Sequence, residues 1–398
     1  MSRLRPHPRF SLWIECVNHA FHVVSFNGNE AIDVPYTFDV EIVSEHPNLD
    51  LVELLHQPAF LAYGANGQGV HGQIYAIAIG RPHLNFTLYT LTLVPKLTYL
   101  EHRTNQRIFE QKTTEQIIAQ LLTEHSIFSH AYAFKLEHAY HARDYCVQHH
   151  ETDLHFVQRL CEEEGIHYHF QHSQQGHLLV FGDNQNAFSA LEPPTPFLFD
   201  KNHPPVLNSG HFNAMWLLTE IHHQGQQPQP LEQHPIDGFV QEYRNYFAVT
   251  LLGETYHPAR KHTKPCVLET HIARVIKNEP AHCTPPDRVK VQFDWHREKQ
   301  KAHYSRCWLA ACPSWKTAPH IGTQVRVAFI DGDPNQPIIT GCLPESRDPV
   351  EPQPSKSSVL RSRSTLSGTG YNEVQIEAPK DLSVSPAKST EKNGDHGN

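Results

Sequence analysis

Long apolar runs are missing from this sequence of 398 residues. No stretch approaches the roughly 18 consecutive apolar residues of a membrane-spanning helix, and the mean hydropathy is -0.50, so no membrane span is predicted. A secretory signal is missing too, because Glu15, Asn18 and His19 interrupt the apolar stretch near the N-terminus and no small-residue cleavage site follows. We expect synthesis in the cytosol, with any export by a route that needs no signal peptide.

An excess of positive charge is also missing. The 33 Lys and Arg residues are outnumbered by 42 Asp and Glu residues, and the resulting net charge of -9 disfavours nucleic acid as a partner. The 8 cysteines are scattered without a CxxC pair, which excludes the paired clusters of a zinc ribbon. In a cytosolic chain we expect these thiols to be reduced and partly buried.

Catalytic motifs are missing as well, although the chain has 32 histidines. There is no GxSxG, no GxxxxGK followed by Ser or Thr, and no GxGxxG after a strand. The string HHETDLH at 149–155 resembles a zinc-protease helix, but its histidines do not have the i, i+4 spacing that places two ligands on one helical face. His167 and His169 alternate along a predicted strand and could share a metal, yet such pairs more often line a polar sheet face. We predict no enzyme activity, no catalytic residue, no cofactor and no metal site.

Strand patterns dominate what is present. Between 10 and 100, segments rich in Val, Ile, Thr and aromatic residues alternate, and Phe38, Val40 and Ile42 share one face of a strand. This predicts a sheet with one buried face, closed or half closed as a barrel. Five short strands between Gly and Pro turns at 266–345 predict a small β-barrel of OB type. The predicted fold class is therefore mainly β with minor α, ending in a mostly disordered C-terminal tail.

The chain is predicted to have five parts. They are a first β-barrel at 1–100, a helical and mixed connecting segment at 101–165, a second β domain at 166–265, the small barrel at 266–345, and a linker and tail at 346–398. Pro, Ser and Arg are enriched between Pro344 and Ser367, which is typical of a linker. The segment YNEVQI at 371–376 makes one further strand.

Two helices are predicted in the connecting segment. The first covers 113–125, where a Thr and a Gln three positions apart have capping-box spacing. The second covers 151–165, with Thr152 or Asp153 as its N-cap and Gly165 in the place of a C′ glycine.

An acidic triplet lies near the end of the second helix. Glu162, Glu163 and Glu164 oppose the helix macrodipole there, and the neighbouring sequence gives no local reason for them. They are therefore the candidate contact with a partner protein.

Two regions together resemble a known family. The segment HHETDLHFVQRLCEEEGIHYHF is similar to a recurring stretch of the VgrG family, the spike proteins of bacterial type VI secretion systems. The segments DRVKVQFDWHRE, CWLAACPSWKTA and PHIGTQVRVAFIDGDPNQPIITG then follow in the order of that family's OB barrel. The resemblance runs from about Phe10 to Ile376.

The residues that match the OB-barrel pattern serve the fold rather than catalysis. We expect a tight turn at Gly322 and the end of the last strand at Gly341. The hairpin turn between the last two strands is expected at Asp331, Gly332, Asp333 and Pro334.

The resemblance implies a structural role. In this family the two β-rich blocks form hub-type domains like those of a phage baseplate, and the OB barrel forms a neck. A homotrimer then makes a ring of pseudo-sixfold symmetry that docks on the hexameric tube protein. The resemblance also implies effectors or adaptors as further partners, assembly on the baseplate from the bacterial cytoplasm, and ejection into target cells.

The end of the sequence departs from the family pattern. A trimeric β-helix needle with a PAAR protein at its tip normally follows the neck, but only YNEVQIEAPKDLSVS stands before the polar tail. We therefore expect the needle to be largely missing or supplied by another chain, and we do not expect a PAAR partner. No additional catalytic domain is expected after the spike.

Two other functions stay open on sequence alone. One is a cell-wall hydrolase on a phage-like scaffold, although the stretch from Pro344 to Ser367 is too short to hold an inserted enzyme domain. The other is a metal- or ligand-binding module that uses the histidine-rich β face.

Overall fold

The computed structural model of the chain has two compact units. The described residues are 10–15, 17, 21–45, 49–64, 67–83, 86–190, 215–227, 242–252, 256–278, 288–295, 305–310, 319–343, 357–363 and 371–377. The first unit comprises Met1–Leu343 and the second Pro344–Asn398. Among the described residues, no helix has the length and apolar character needed to cross a bilayer.

An eight-stranded antiparallel sheet is the largest element of the first unit. In chain order its strands are β1 (Ser11–Ile14), β2 (His22–Ala31), β3 (Val34–Ser44), β4 (Pro58–Ala62), β5 (Gly69–His83), β6 (Phe86–Val94), β12 (Trp216–Gln226) and β13 (Glu242–Leu251). Their spatial order is β1-β4-β5-β6-β3-β2-β12-β13, so β1 and β13 are the edges. A short helix, α1 (Leu51–Leu54), precedes β4, and Asp50 caps its first turn.

Alternation along the strands buries one face of this sheet, which confirms the pattern predicted from the sequence. Phe38, Val40 and Ile42 of β3 are fully buried in one core. A hydrogen bond shows that the sheet curls. The backbone N–H of Phe10, next to β1, donates to Oε1 of Gln227, the residue after β12, at 3.1 Å. One edge of the sheet therefore approaches the other end, as in a half-closed barrel.

The strand pairing departs from the predicted division at 166–265. Strand β12 pairs with β2 from Glu220 opposite Ala31 to Gln226 opposite Ser25, and β13 adds to β12. These two strands complete the first sheet and do not belong to a separate second β domain. The physical reason is that the open edge of β2 needs a partner strand, and local sequence patterns do not say which distant strand supplies it.

A three-stranded sheet also crosses the predicted boundary at residue 165. The hairpin of β10 (His167–Ser173) and β11 (Gly176–Gly182) pairs in parallel with β8 (Tyr132–Lys135) from the connecting segment. Two helices, α2 (Thr114–Glu124) and α3 (Asp153–Glu164), share one core with this sheet.

Both predicted helices are confirmed together with their caps. Thr113 and Gln116 form a capping box, in which each side chain accepts the backbone N–H of the other residue at 3.2 Å. The Thr152 hydroxyl accepts the N–H of His155 at 3.1 Å and caps α3. Gly165 ends that helix with φ 74°, a left-handed conformation that glycine adopts without steric cost.

A ribbon of β7 (Thr104–Lys112) and β9 (Arg143–Thr152) leads to a separate five-stranded sheet. The strands of that sheet are β14 (His271–Asn278), β15 (Arg288–Phe293), β16 (Arg306–Ala310), β17 (Gln324–Phe329) and β18 (Pro337–Cys342). They are antiparallel in the order β16-β15-β14-β17-β18, and the two edge strands lie in contact, which closes a small barrel. This confirms the five strands predicted for the OB barrel.

The second unit contains one antiparallel pair. Strand β20 (Tyr371–Glu377) confirms the strand predicted at 371–376 and pairs with β19 (Ser357–Arg363) in a register that places Leu360 opposite Val374. Strand β19 lies in a segment predicted to be linker, so that prediction is corrected there. A Ser- and Arg-rich composition did not indicate a strand, but pairing with β20 supplies its backbone partners. The rest of the predicted linker and tail, 344–356, 364–370 and 378–398, lies outside the described residues.

Candidate functional site

The acidic triplet at the end of α3 has partners within the chain. Glu162 Oε2 accepts the backbone N–H groups of Lys261 and His262 at 2.9 Å each, and its Oε1 lies 2.7 Å from His262 Nδ1. These residues belong to an extended segment, 256–270, that we call the strap. The buried Glu162 carboxylate thus fixes the strap against the end of α3.

Arg143 of β9 binds the other two carboxylates. Its Nη1 donates to Glu163 Oε2 at 2.7 Å, and its Nε donates to Glu164 Oε1 at 3.1 Å. Glu163 Oε1 also accepts from Arg159 Nη1 at 2.7 Å. Because guanidinium groups offset the unfavourable position of these carboxylates at the helix C-terminus, the chain itself accounts for the triplet. The contact of Glu162, Glu163 and Glu164 with a partner protein stays a prediction.

A buried ion pair lies on the inner side of α3. Arg159 is 1% exposed and donates to both carboxylate oxygens of Glu151, at 2.7 and 3.1 Å. Burial raises the pKa of Glu151, but hydrogen bonds from His155 and Arg159 outweigh that effect, and the net result is a lowered pKa. Glu151 is therefore ionised at neutral pH and holds Arg159 in place.

Asp153, the first residue of α3, is the centre of a second charged cluster. Its fully buried carboxylate accepts hydrogen bonds from the side chains of Arg103, Asn105, Arg107, His125 and Gln148. Burial raises the pKa of Asp153, yet the hydrogen bond from His125 and the charge of Arg107 hold it below its usual range. A carboxylate with this many donors is a structural anchor rather than a general base, because its lone pairs are occupied.

The β7–β9 ribbon joins this charged region to the small barrel. Ile108 and Val147 of the ribbon are buried in the core of the barrel. The N–H of Val147 donates to Asn335 Oδ1 at 2.8 Å, and the N–H of Trp308 donates to Glu110 Oε1 at 2.8 Å. The ribbon and the barrel thus share apolar and polar contacts, and we call this contact region the joint.

The turn between β17 and β18 forms the other side of the joint. The Gly332 carbonyl accepts the N–H of Val267 in the strap at 2.8 Å, and Asp333 Oδ1 lies 2.8 Å from Lys264 Nζ. A Cβ added to Gly332 would lie 2.4 Å from Cys266 Sγ, so a side chain at this position would push the strap away. The structure therefore brings the turn and the strap together.

The other predicted fold residues lie at turns and strand ends. Asp331 and Gly322 have φ values of 51° and 98° in the turns after and before β17. Pro334 follows Asp333 in the hairpin turn, and Gly341 is the last but one residue of β18. None of them meets the acidic triplet.

The eight-stranded sheet has apolar side chains exposed at both edges. On β13, Tyr246, Val249 and Leu251 are 54%, 41% and 42% exposed, and on β1, Trp13 is 53% exposed. Among the described residues, no strand pairs with the outer side of β13. Natural proteins usually protect such edges, so a long apolar edge indicates a contact surface.

The histidines of the protease-like string do not converge on a metal site. His149 and His150 lie in β9, whereas His155 lies in the first turn of α3 with its Nδ1 2.7 Å from Glu151 Oε2. Across the part of the chain that the structure describes, no three His, Cys, Asp or Glu side chains are grouped so as to hold a metal ion.

Two families match the chain in the order in which the folds occur. The family described as phage tail baseplate hub (GPD) matches residues 29–205, which include strands of the eight-stranded sheet, the whole three-stranded sheet and the β7–β9 ribbon. The family described as type VI secretion system/phage-baseplate injector OB domain matches residues 272–343, which form the small barrel.

The two families occur in phage and in secretion proteins, and the curated relatives show which of these the chain is similar to. The type VI secretion system spike proteins VgrG4b and VgrG5 of Pseudomonas aeruginosa are each 37% identical to this chain over 93% of its length. The chain belongs to the VgrG family. It spans 61% and 62% of the lengths of these two VgrG proteins. The actin cross-linking toxin VgrG1 of Vibrio cholerae is 27% identical over 86% of this chain and 41% of the toxin.

Solved structures share the VgrG fold found here. The Escherichia coli c3393 protein, described as a type VI secretion component similar to the T4 tail proteins gp27 and gp5, matches with a TM-score of 0.69 at 22% identity. That match covers 84% of this chain and 100% of the other. A chain of the lidless PdpA–VgrG complex matches with a TM-score of 0.57 at 7% identity, over 89% and 88% of the two chains. At these identities the likeness concerns the fold alone.

Sequence reasoning missed the strap, the joint and the two arginines that bind the triplet. The spacing of Arg159 and Glu163, four positions apart on a predicted helix, is a local signal that indicates an ion pair. Arg143 and the strap contact α3 only through tertiary structure, and no periodic pattern marks them.

Proposed function

We propose that this chain is a structural hub-and-neck component of a type VI secretion puncturing device. The observation that supports this most is the presence of the hub and OB families in one chain, folded as one unit and connected by the ribbon and the strap. A neck fixed to a hub at several points suits a device that transmits force. A spike protein, VgrG4b, and an actin cross-linking toxin, VgrG1, both match this chain over most of its length. A region shared by proteins described in such different ways favours a structural role over an enzymatic one.

We further propose that the chain assembles as a homotrimer through the edges of the eight-stranded sheet. The exposed apolar side chains of β13 support this, because a chain that stays monomeric gains nothing from an unprotected edge. The trimer would dock on the hexameric tube protein and carry effectors or adaptors. Synthesis in the bacterial cytoplasm and ejection with the tube follow from that role.

Retention of purified tube protein by the immobilised chain tests this proposal. The wild-type chain is expected to retain the tube protein, whereas Val249→Lys on β13 is expected to lose trimer and tube protein together. Val52→Lys is the matched control, because Val52 is 79% exposed and lies on α1 rather than on an edge strand of the sheet. Failure of the wild-type chain to retain tube protein, or equal retention by all three chains, contradicts the proposal.

A further inference from the structure

A cavity of about 540 Å³ lies between the eight-stranded sheet and the β10–β11 hairpin. Strand β5 contributes His71 and Gln73, the hairpin contributes His172 and His177, and Lys96 closes another side. No Asp or Glu occurs among the described residues that line it, although the chain has a net charge of -9. Its volume falls within the range of roughly 300–1,000 Å³ that is typical of small-molecule pockets.

The cavity offers hydrogen-bond donors without a competing carboxylate. Lys96 Nζ donates to the Ser126 carbonyl at 2.8 Å, and two of its three protons stay available. The Nδ1 atoms of His71 and His177 lie 3.2 Å apart. Within the described residues neither Nε2 atom of this pair has a hydrogen-bond partner. In the neutral pair one Nδ1 donates to the other, so one ring has its proton on Nε2 and can donate it to a ligand. The other ring becomes a donor through Nε2 only when it takes up a second proton.

The Glu30 carboxylate does not line the cavity but pairs with His172, which does. His172 Nδ1 accepts the backbone N–H of His71 at 3.3 Å, so its Nε2 carries the proton, and that atom lies 3.2 Å from Glu30 Oε2. Glu30 Oε1 lies 3.1 Å from His223 Nε2. Both oxygens of Glu30 thus face imidazoles, which leaves Lys96 as the charged group of the lining.

A Ser occupies a backbone position at the cavity that normally favours Gly. Ser126 follows α2 with φ 58°, in the left-handed region. In this conformation the Ser126 carbonyl accepts from Lys96 Nζ and holds the ammonium at the cavity.

We propose that this cavity binds a small molecule with an anionic sulfate-, phosphate- or carboxylate-type group, held by the Lys96 ammonium and the imidazoles of His71 and His177. The site goes beyond the proposed assembly role and does not depend on it. A ligand without negative charge would form no ion pair with the Lys96 ammonium and would give no reason for a second imidazole to take up a proton.

Proton uptake is the expected signature of such binding. Burial is the main cause that lowers the pKa of His71 to about 4, and the proximity of the His172 ring is a second cause. Burial, together with the neighbouring His71, His172 and Lys96, lowers the pKa of His177 to about 3. The Tyr36 hydroxyl, 3.2 Å from His177 Nδ1, stays neutral because burial raises its pKa. An anion favours the imidazolium form, so its binding raises these pKa values and tightens as pH falls.

Calorimetric titration of the full chain with sulfate tests the proposal, because sulfate keeps two negative charges at both pH values used. With ionic strength fixed by KCl, the affinity is expected to be about tenfold higher near pH 5.5 than near pH 7.5, if one bound imidazole regains a pKa of about 6.5. Two buffers of different ionisation enthalpy measure the protons taken up. A parallel titration with oxalate separates carboxylate from tetrahedral oxyanion ligands. No binding of either ion at about 10 mM near pH 5.5 overturns the proposal.

Variants separate the cavity from the overall charge of the chain. Gln73→Glu keeps the shape of the side chain and adds a negative charge to the lining, so affinity is expected to fall at least about tenfold. Lys96→Gln should weaken binding to a similar extent. Lys261→Gln is the control with the same change in charge on the strap, and its affinity should match the wild type. If Gln73→Glu melts like the wild type and binds sulfate with unchanged affinity, the proposal is contradicted. It is also contradicted if Lys261→Gln loses as much affinity as the cavity variants.

Discussion

Arg159 illustrates at the scale of single residues how α3 is held. Its guanidinium is 1% exposed, and its charge is balanced by Glu151 and Glu163. Glu151 comes from β9 and Glu163 from α3 itself, so one side chain ties the helix to the ribbon. Removing one partner of a buried pair costs more than the pair itself contributes, because the remaining charge stays buried.

Arg159→Met is therefore expected to lower the free energy of unfolding by about 3–5 kcal/mol, since Glu151 is left without its main partner. Urea unfolding followed by circular dichroism measures the loss. Arg260→Met serves as the control, because Arg260 is exposed on the strap, and it should change stability by no more than about 0.5 kcal/mol. A loss in Arg159→Met as small as the control's would show that the buried pair does not stabilise α3.

At the scale of elements, the joint determines whether the small barrel stays attached to the rest of the first unit. Asn335 Oδ1 accepts the N–H of Val147, and Lys264 of the strap pairs with Asp333 in the same turn. Both contacts come from one hairpin turn, so a change in this turn should affect the joint before either core.

Asn335→Ala is expected to cost about 1–3 kcal/mol, because the N–H of Val147 loses its acceptor in a partly buried setting. Hydrogen exchange should show faster exchange of the Val147 amide and of β18, with the eight-stranded sheet unchanged. Asn186→Ala, at an exposed asparagine, provides the comparison and should leave both regions as in the wild type. Equal protection of Val147 in all three proteins would argue against the joint.

Local signals explain which elements the sequence could predict. The helices α2 and α3 were predicted within a few residues because Thr113, Thr152 and Gly165 are caps that act over one turn. The place of β12 beside β2 could not be predicted, because strand partners are chosen by contacts distant in the sequence. The same reason hid the strap and the residues of the cavity, which come together only in the folded chain.

At the scale of the whole molecule, buried neutral histidines set the response to acid. Among the described residues, burial is the first cause of a lowered pKa at six histidines. The pKa is about 4 for His71, His149 and His169 and about 3 for His177, and it is also lowered at His167 and His271. In the unfolded chain each of these histidines has a pKa near 6.5. Each neutral imidazole therefore makes its full contribution to the free energy of unfolding above that pH, and this contribution is lost as the pH falls toward the lower pKa of the folded state. Asp33 acts in the opposite direction, since burial raises its pKa to about 6.

The free energy of unfolding should therefore fall steadily from about pH 7 to about pH 5, and His71 alone should account for about 2 kcal/mol of that fall. Urea titrations at several pH values measure the slope. His71→Gln keeps a neutral polar group at this position and should reduce the slope, whereas the exposed His22→Gln should not. A stability that stays constant between these pH values would contradict the account of buried neutral imidazoles.

The mass of the purified chain in solution tests the proposed spike assembly most directly. Light scattering at micromolar concentration and neutral pH is expected to give about three times 45.5 kDa, because the apolar edges of the eight-stranded sheet would be covered by neighbouring copies. The Val249→Lys variant should shift this mass toward that of one chain. A wild-type mass of 45.5 kDa at every concentration tried would contradict assembly through the sheet edges.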